Sequence, residues 1–284
     1  MPKFSMYMLA AVLCATATQI AGAQQLPGGP RHFLAPYAAS SANVGDVDFP
    51  HTTQLPRMAP ELALQVFSQR SVEQAQKLAA YTDTTIVQAE LPDTSQRGEY
   101  ELLRTYTAPK SLNFATIKFT GDNFVKSNVI VRLLQQEVER VEKGDAAKTA
   151  ITEQNYKFSY KGVETVEGDL CHVFQLKPRR KAVGLFKGRI LLEVHTGSLR
   201  RAEGTFSKSP SFFVRKIEFV QDFADFAGVT LPTHLRSTAK ARIIGRTIVN
   251  VFHRGYQLTA SAVKPTAAPN ETNSPALILS PQAQ

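Results

Sequence analysis

Six histidines, two cysteines and a scatter of carboxylates are the side chains of this 284-residue chain that could do chemistry, and their spacing argues against most of it. His32 and His51 fall in a Pro/Ala/Ser-rich stretch, while His172, His195, His234 and His253 stand singly and far apart. Cys171 and His172 are adjacent, and neighbours on a strand point to opposite faces, so they do not make the paired spacing of a zinc site. The chain has no Gly-x-Ser-x-Gly elbow, no P-loop, no dinucleotide fingerprint and no His-Glu-x-x-His. Glu101, Glu164, Glu167, Asp169, Glu193 and Glu203 read as solvated strand and turn charges. The expectation is a binding protein rather than an enzyme, with no catalytic set, metal or cofactor.

Charge says more. The chain carries 33 basic against 24 acidic residues. From Arg179 to Lys216 there are ten bases and only two acids, Glu193 and Glu203, and from Phe226 to Asn270 six bases and no acid. This predicts a positive face on the C-terminal half, suited to phosphate or carboxylate groups such as lipid heads or a membrane surface. Aromatic residues do not interleave with the bases as a stacking platform would need, so nucleic acid is not an expected partner. Seventeen Phe and no Trp give the chain a large apolar stock, much of it at strand positions such as Phe158, Phe174 and Phe219.

Those residues need elements to hold them. The start "MPKFSMYMLAAVLCATATQIAGAQQ" has a basic Lys3, a short apolar run and Ala21-Gly22-Ala23, the form of a secretory signal cleaved after Ala23. The run is too short to span a bilayer, which needs roughly 20 residues. Export to the periplasm is therefore expected, with residues 24–58 a flexible lead-in, 59–258 one folded unit and 259–284 a disordered Pro-rich tail. With Cys171 the one cysteine left after cleavage, no internal disulfide is available, and Cys171 reads as a small core residue.

Within the folded unit, Pro60 to Tyr81 reads as a helix in two pieces, restarted by a capping box at Ser71-Val72-Glu73-Gln74. A second helix is predicted for "VIVRLLQQEVERVEK", capped by Ser127 or Asn128 and ended by Gly144. It would bury Ile130, Leu134, Val138 and Val141 and expose Arg132, Gln136, Glu139, Arg140 and Lys143. The rest alternates with period two and reads as about eleven strands, with hairpin turns at Lys161-Gly162, Glu167-Gly168-Asp169, His195-Thr196-Gly197 and Ile244-Gly245. Consecutive strands joined by tight turns are antiparallel, so the fold class is α+β: one long, strongly curved antiparallel sheet with helices on its concave side.

A helix ending in "LAAYT", three strands, the inserted "VIVRLLQQEVE", then "YKFSYKGVETVEGDLCHVFQLKPRRKAVGLFKGRILLEVHTGSLRR" and a late "LPTHLRS" together resemble the outer-membrane lipoprotein-sorting protein family, the periplasmic lipoprotein carriers and RseB/MucB-type regulators. The resemblance covers nearly all of residues 59–258. It implies an incomplete, highly curved antiparallel β-barrel closed by helices, with an apolar cavity for acyl chains and the helix at 129–141 as its plug or gate. For such a cavity, strand and helix parity make Phe158, Tyr160, Phe174 and Leu176, with Leu134 and Val138 from the helix, the expected lipid-binding wall, and the basic run makes Arg179, Arg180 and Lys181 the expected anionic head-group contacts. The implied function is binding or carriage of a lipid or lipoprotein acyl chain, with transient contact to a membrane surface. The alternative is an envelope-stress sensor or assembly partner that uses the same fold to bind another protein.

Overall fold

The computed structural model describes residues 56–144, 146–209, 214–242 and 245–260. The expected leader at 1–23, nearly all of the lead-in and the tail beyond Ala260 lie outside them.

The chain enters through α1 (Pro60–Lys77), which starts as proline at a first helical position should, with Glu61 in its first turn and Lys77 in its last. It runs unbroken, correcting the expected two pieces. Ser71 lies mid-helix and its hydroxyl donates back to the Phe67 carbonyl at 2.8 Å rather than capping a new helix. "LAAYT" is the start of β1 (Leu78–Leu91), not a helix end. Its inward residues, Tyr81, Asp83, Thr85, Val87, Ala89 and Leu91, are buried at every second position while their neighbours are less so, the period of a strand with one face on a core.

Strand β2 (Gln96–Thr107) and β3 (Ser111–Gly121) follow as a meander. The helical excursion comes next: α2 (Asn123–Val125), a π-helical turn (Lys126–Ile130) and α3 (Val131–Lys143). The cap is Asp122, whose carboxylate accepts from the Phe124 amide at 2.9 Å. Ser127 and Asn128, the expected caps, sit inside the π turn. Gly144 ends α3 as predicted: it takes φ 65°, and its amide donates to the Arg140 and Val141 carbonyls. A short α4 (Ala146–Thr149) leads to β4 (Tyr156–Val166), and β5 (Asp169–Pro178), β6 (Phe186–Glu193), β7 (Leu199–Phe206), β8 (Val214–Phe226), β9 (Val229–Ala241) and β10 (Gly245–Ala260) complete the chain.

All pairings are antiparallel, in the order β3-β2-β1-β10-β9-β8-β7-β6-β5-β4. The sheet is curved and open, with β3 and β4 as its two edges. Ten strands replace the expected eleven because Lys161-Gly162 is not a turn. Tyr160 pairs with Phe174 and Gly162 with Val173, which leaves Lys161 as the extra residue of a β-bulge inside one continuous β4. The turn at Glu167-Gly168 is real, with both residues at positive φ.

One apolar cluster lines the concave face, drawing Phe67 from α1, Val129, Ile130, Leu133 and Leu134 from the excursion, and residues of β1, β2 and β4 to β10. A second, smaller cluster holds Leu78, Tyr81, Tyr106, Leu112 and Val141. Cys171, Val173 and Leu191 form a third on the opposite face of β5 and β6.

Candidate functional site

Between the two concave clusters lies a band of buried charge. Asp83 and Thr85 on β1, Arg104 on β2 and His253 on β10 occupy inward positions that the register brings side by side: Thr85 pairs with His253, and Asp83 with Arg104. Arg104 is fully buried, and its Nε lies 3.0 Å from Asp83 Oδ1. It also donates to the Tyr81 hydroxyl. Asp83 Oδ2 accepts from Thr85 Oγ1 at 2.7 Å and from His253 Nδ1 at 3.0 Å. From above, α3 lowers Glu137 onto the band, with Oε1 3.5 Å from Arg104 Nη1.

Burial alone would raise the Asp83 carboxyl, but Arg104, His253 and Thr85 together outweigh it and hold it below its ordinary value. Burial, then the nearby guanidinium of Arg104, keep His253 below its ordinary value despite its bond to Asp83. Burial pushes the Tyr81 hydroxyl up to about 12, against the pull of Arg104. The arrangement is a neutral imidazole and an ionised carboxylate around a charged guanidinium.

A cavity of about 230 Å³ opens beside this band, between the C-terminal half of α3 and the ends of β1 to β3, lined among others by Tyr81, Tyr106, Lys110, Leu112, Glu137, Arg140 and Val141. Tyr81 and Tyr106 stack there with ring centres 5.1 Å apart. Arg140, expected on the solvated side of the helix, is instead buried against the cavity. Glu137 was not singled out from the sequence, yet it stands at helical spacing among Ile130, Leu134 and Val141. A charge on an apolar stripe is the signal that would have found it.

The expected wall residues fall as follows. Cross-strand pairing sets Phe158 opposite Leu176 and Tyr160 opposite Phe174, so the four share one face of the β4–β5 hairpin. Phe174, Leu176 and Leu134 are members of the main cluster and Phe158 packs against it. Val138 packs instead on the second cluster. Tyr160 is 42% exposed, and its hydroxyl lies 3.2 Å from His172 Nδ1. Of the basic trio, Arg179 donates to the Glu153 carbonyl at 2.6 Å, and Arg180 to Asn155 Oδ1 and the Lys148 carbonyl. Both thus pin the segment between α4 and β4, and Lys181 is exposed.

The broad positive face needs correction. Arg189 pairs with Glu164 and Glu203, Arg200 with Asp169, Arg201 with Glu167 and Asp222, and Lys216 with Glu218. Most of these acids come from other strands, Asp222 and Glu203 from an adjacent one and Glu164 and Asp169 from two strands away, so counting charges along the chain overstates the field. The lone histidines have ordinary roles: His172 Nε2 donates to the Met58 carbonyl at 2.9 Å, and His234 stacks on Phe252. Burial pushes the Cys171 thiol up to about 12, where it is unreactive.

No family model and no curated protein matches this sequence. Among solved structures, the chain is similar to a LolA superfamily protein from Nitrosomonas europaea, at 12% identity over 69% of this chain and 93% of that one, with a TM-score of 0.35. It is similar to an outer membrane lipoprotein-sorting protein domain from Vibrio parahaemolyticus, at 11% identity, 72% and 95% coverage and a TM-score of 0.38. A third likeness is to the MucA/MucB complex of Pseudomonas aeruginosa, at 10% identity, 68% and 92% coverage and a TM-score of 0.23. At such identities and scores the likeness concerns the course of the chain alone.

Proposed function

We propose that the protein is a periplasmic binding protein for a lipid or lipoprotein acyl chain, taken up between the α2–α3 excursion and the concave face of the sheet. The observation that supports this most is the cover itself. An open sheet that carries two apolar clusters, parted by the buried ionic band, is roofed by a helix inserted between β3 and β4, and a void beside the smaller cluster, away from the expected wall residues, is already present beneath the C-terminal half of that helix. At about 30 Å³ per water-sized group, that void holds about eight such groups. A longer acyl chain therefore requires α3 to shift, and each methylene it buries contributes about 0.8 kcal/mol toward that shift. Phe158, Tyr160, Phe174, Leu176, Leu134 and Val138 are the proposed wall, and Lys181, with Arg179 and Arg180, the proposed head-group contact.

Protein purified from a Gram-negative periplasm should yield acyl species when its lipids are extracted and weighed by mass spectrometry. Preparations that never contain them would refute the carrier reading.

A second reading, contact with another envelope protein, draws on the two open edges, where Ile117 on β3 is 53% and Val163 on β4 is 43% exposed. Affinity capture from periplasm separates the two. A regulator retains one protein partner in stoichiometric amount, whereas a carrier exchanges cargo and retains none.

A further inference from the structure

Arg140 is 8% exposed, and none of its Nε, Nη1 and Nη2 atoms has a hydrogen-bond partner among the described residues. A guanidinium buried without a counter-charge is costly unless something outside the chain completes it. No carboxylate among the described residues pairs with it: Asp83 is held by Arg104, Thr85 and His253, and Glu137 turns its Oε1 to Arg104. Arg140 lines the cavity beneath α3, and so does Lys110, an exposed side chain whose Cε lies 3.1 Å from where a Cβ on Gly144 would stand, at the helix end. The remaining wall is largely apolar: Leu112, Val141 and the stacked rings of Tyr81 and Tyr106.

We propose that this cavity binds a small organic monocarboxylate, its anionic group on Arg140 and Lys110 and its compact apolar body against Leu112, Val141 and Tyr106. A planar carboxylate matches the guanidinium fork with two parallel hydrogen bonds. Two cations and the neighbouring Glu137, whose Oε2 is itself without a hydrogen-bond partner among the described residues, favour one negative charge over two, which disfavours inorganic phosphate. The volume admits about eight non-hydrogen atoms, the size of hexanoate. The site does not depend on lipid carriage: protein that copurifies with no acyl species would still bind hexanoate here.

Titration calorimetry and thermal melting of the full chain at low salt test this with sodium hexanoate, 1-hexanol and inorganic phosphate. Hexanoate should bind and raise the melting temperature, with hexanol and phosphate at least tenfold weaker. Arg140→Met should weaken hexanoate at least tenfold, and Lys110→Ala several-fold with no change in the ligand-free melting temperature. No hexanoate binding at millimolar concentration overturns the proposal, as does equal binding of hexanol or phosphate. Should Arg140→Met fail to fold, Lys110→Ala decides: an affinity equal to wild type overturns the assignment.

Discussion

Arg104 has no route to water, and Asp83, Glu137 and Tyr81 are arranged around it. Removing one member of such a group strands the others, at a cost of about 3–5 kcal/mol. Arg104→Met should lose stability of that order in urea unfolding, whereas replacing a solvated partner such as Lys143, which pairs with Glu139 at the surface, should cost under about 1 kcal/mol. The same group sets a pH response. His253 is held below its ordinary 6.5, so as pH falls below that value the unfolded chain takes up a proton that the folded chain refuses, and stability declines. Asp83, held below its ordinary 3.8, contributes stability that is present above that pH and lost as pH falls through its lower folded value. Melting temperatures across pH should show both declines, and His253→Gln should remove the first and keep the second. The buried Cys171 and the ordinary roles of His172 and His234 were legible in the sequence because isolation is visible there, whereas His253, equally isolated along the chain, belongs to a buried cluster. The ionic band was not, because Asp83, Arg104, Glu137 and His253 lie on four elements that only the sheet order brings together.

At the scale of elements, period-two alternation located the strands well, and Gly144 marked the end of α3 correctly. Errors fell where one residue type serves two purposes. Glycine signals a turn and a bulge alike, so Gly162 was read as a hairpin. Serine before Val-Glu-Gln imitates a cap although the helix runs straight through it. Proline marked the start of α1, but its end was hidden because Leu78-Ala79-Ala80 suits helix and strand equally, and pairing with β10 and β2 decides it. A different use of glycine joins β6 to β7, where Gly188 faces Gly204 across the ladder. A Cβ on Gly188 would stand 1.9 Å from the Glu203 carbonyl oxygen, and one on Gly204 2.4 Å from that of Lys187. Backbone cannot yield as a side chain does, so Gly188→Ala should destabilise by about 1–3 kcal/mol. Denaturant midpoints of that variant against Gly168→Ala, whose new Cβ meets open space at a φ of 94°, would separate crowding from conformational strain.

For the whole molecule, the fold class was legible because hairpin-linked alternation leaves few alternatives to a single antiparallel sheet. Its surface field was not, since partners such as Arg189 and Glu164 meet only after folding. The topology also orders stability. Strands β1, β10 and β9 are bonded on both sides, whereas β3 and β4 are bonded on one. Hydrogen exchange should find the amides of β1 and β10 protected to near the global unfolding free energy, with β3 and the α2–α3 excursion opening earlier. Uniform protection across all of these would contradict an independently movable roof, and with it the uptake route proposed above.

Lys161, the supernumerary residue of β4, bears on how copies of the protein behave toward one another. An exposed margin of unbonded amides invites a neighbouring chain to add itself, and repeated addition makes fibres. The misfit at Lys161 puts the spacing of that margin out of phase with any straight strand laid alongside, and its ammonium adds a charge at the same place. At the β4 margin the open sheet is thereby a poorer template for a second copy of the chain than a flat, uncharged strand would be.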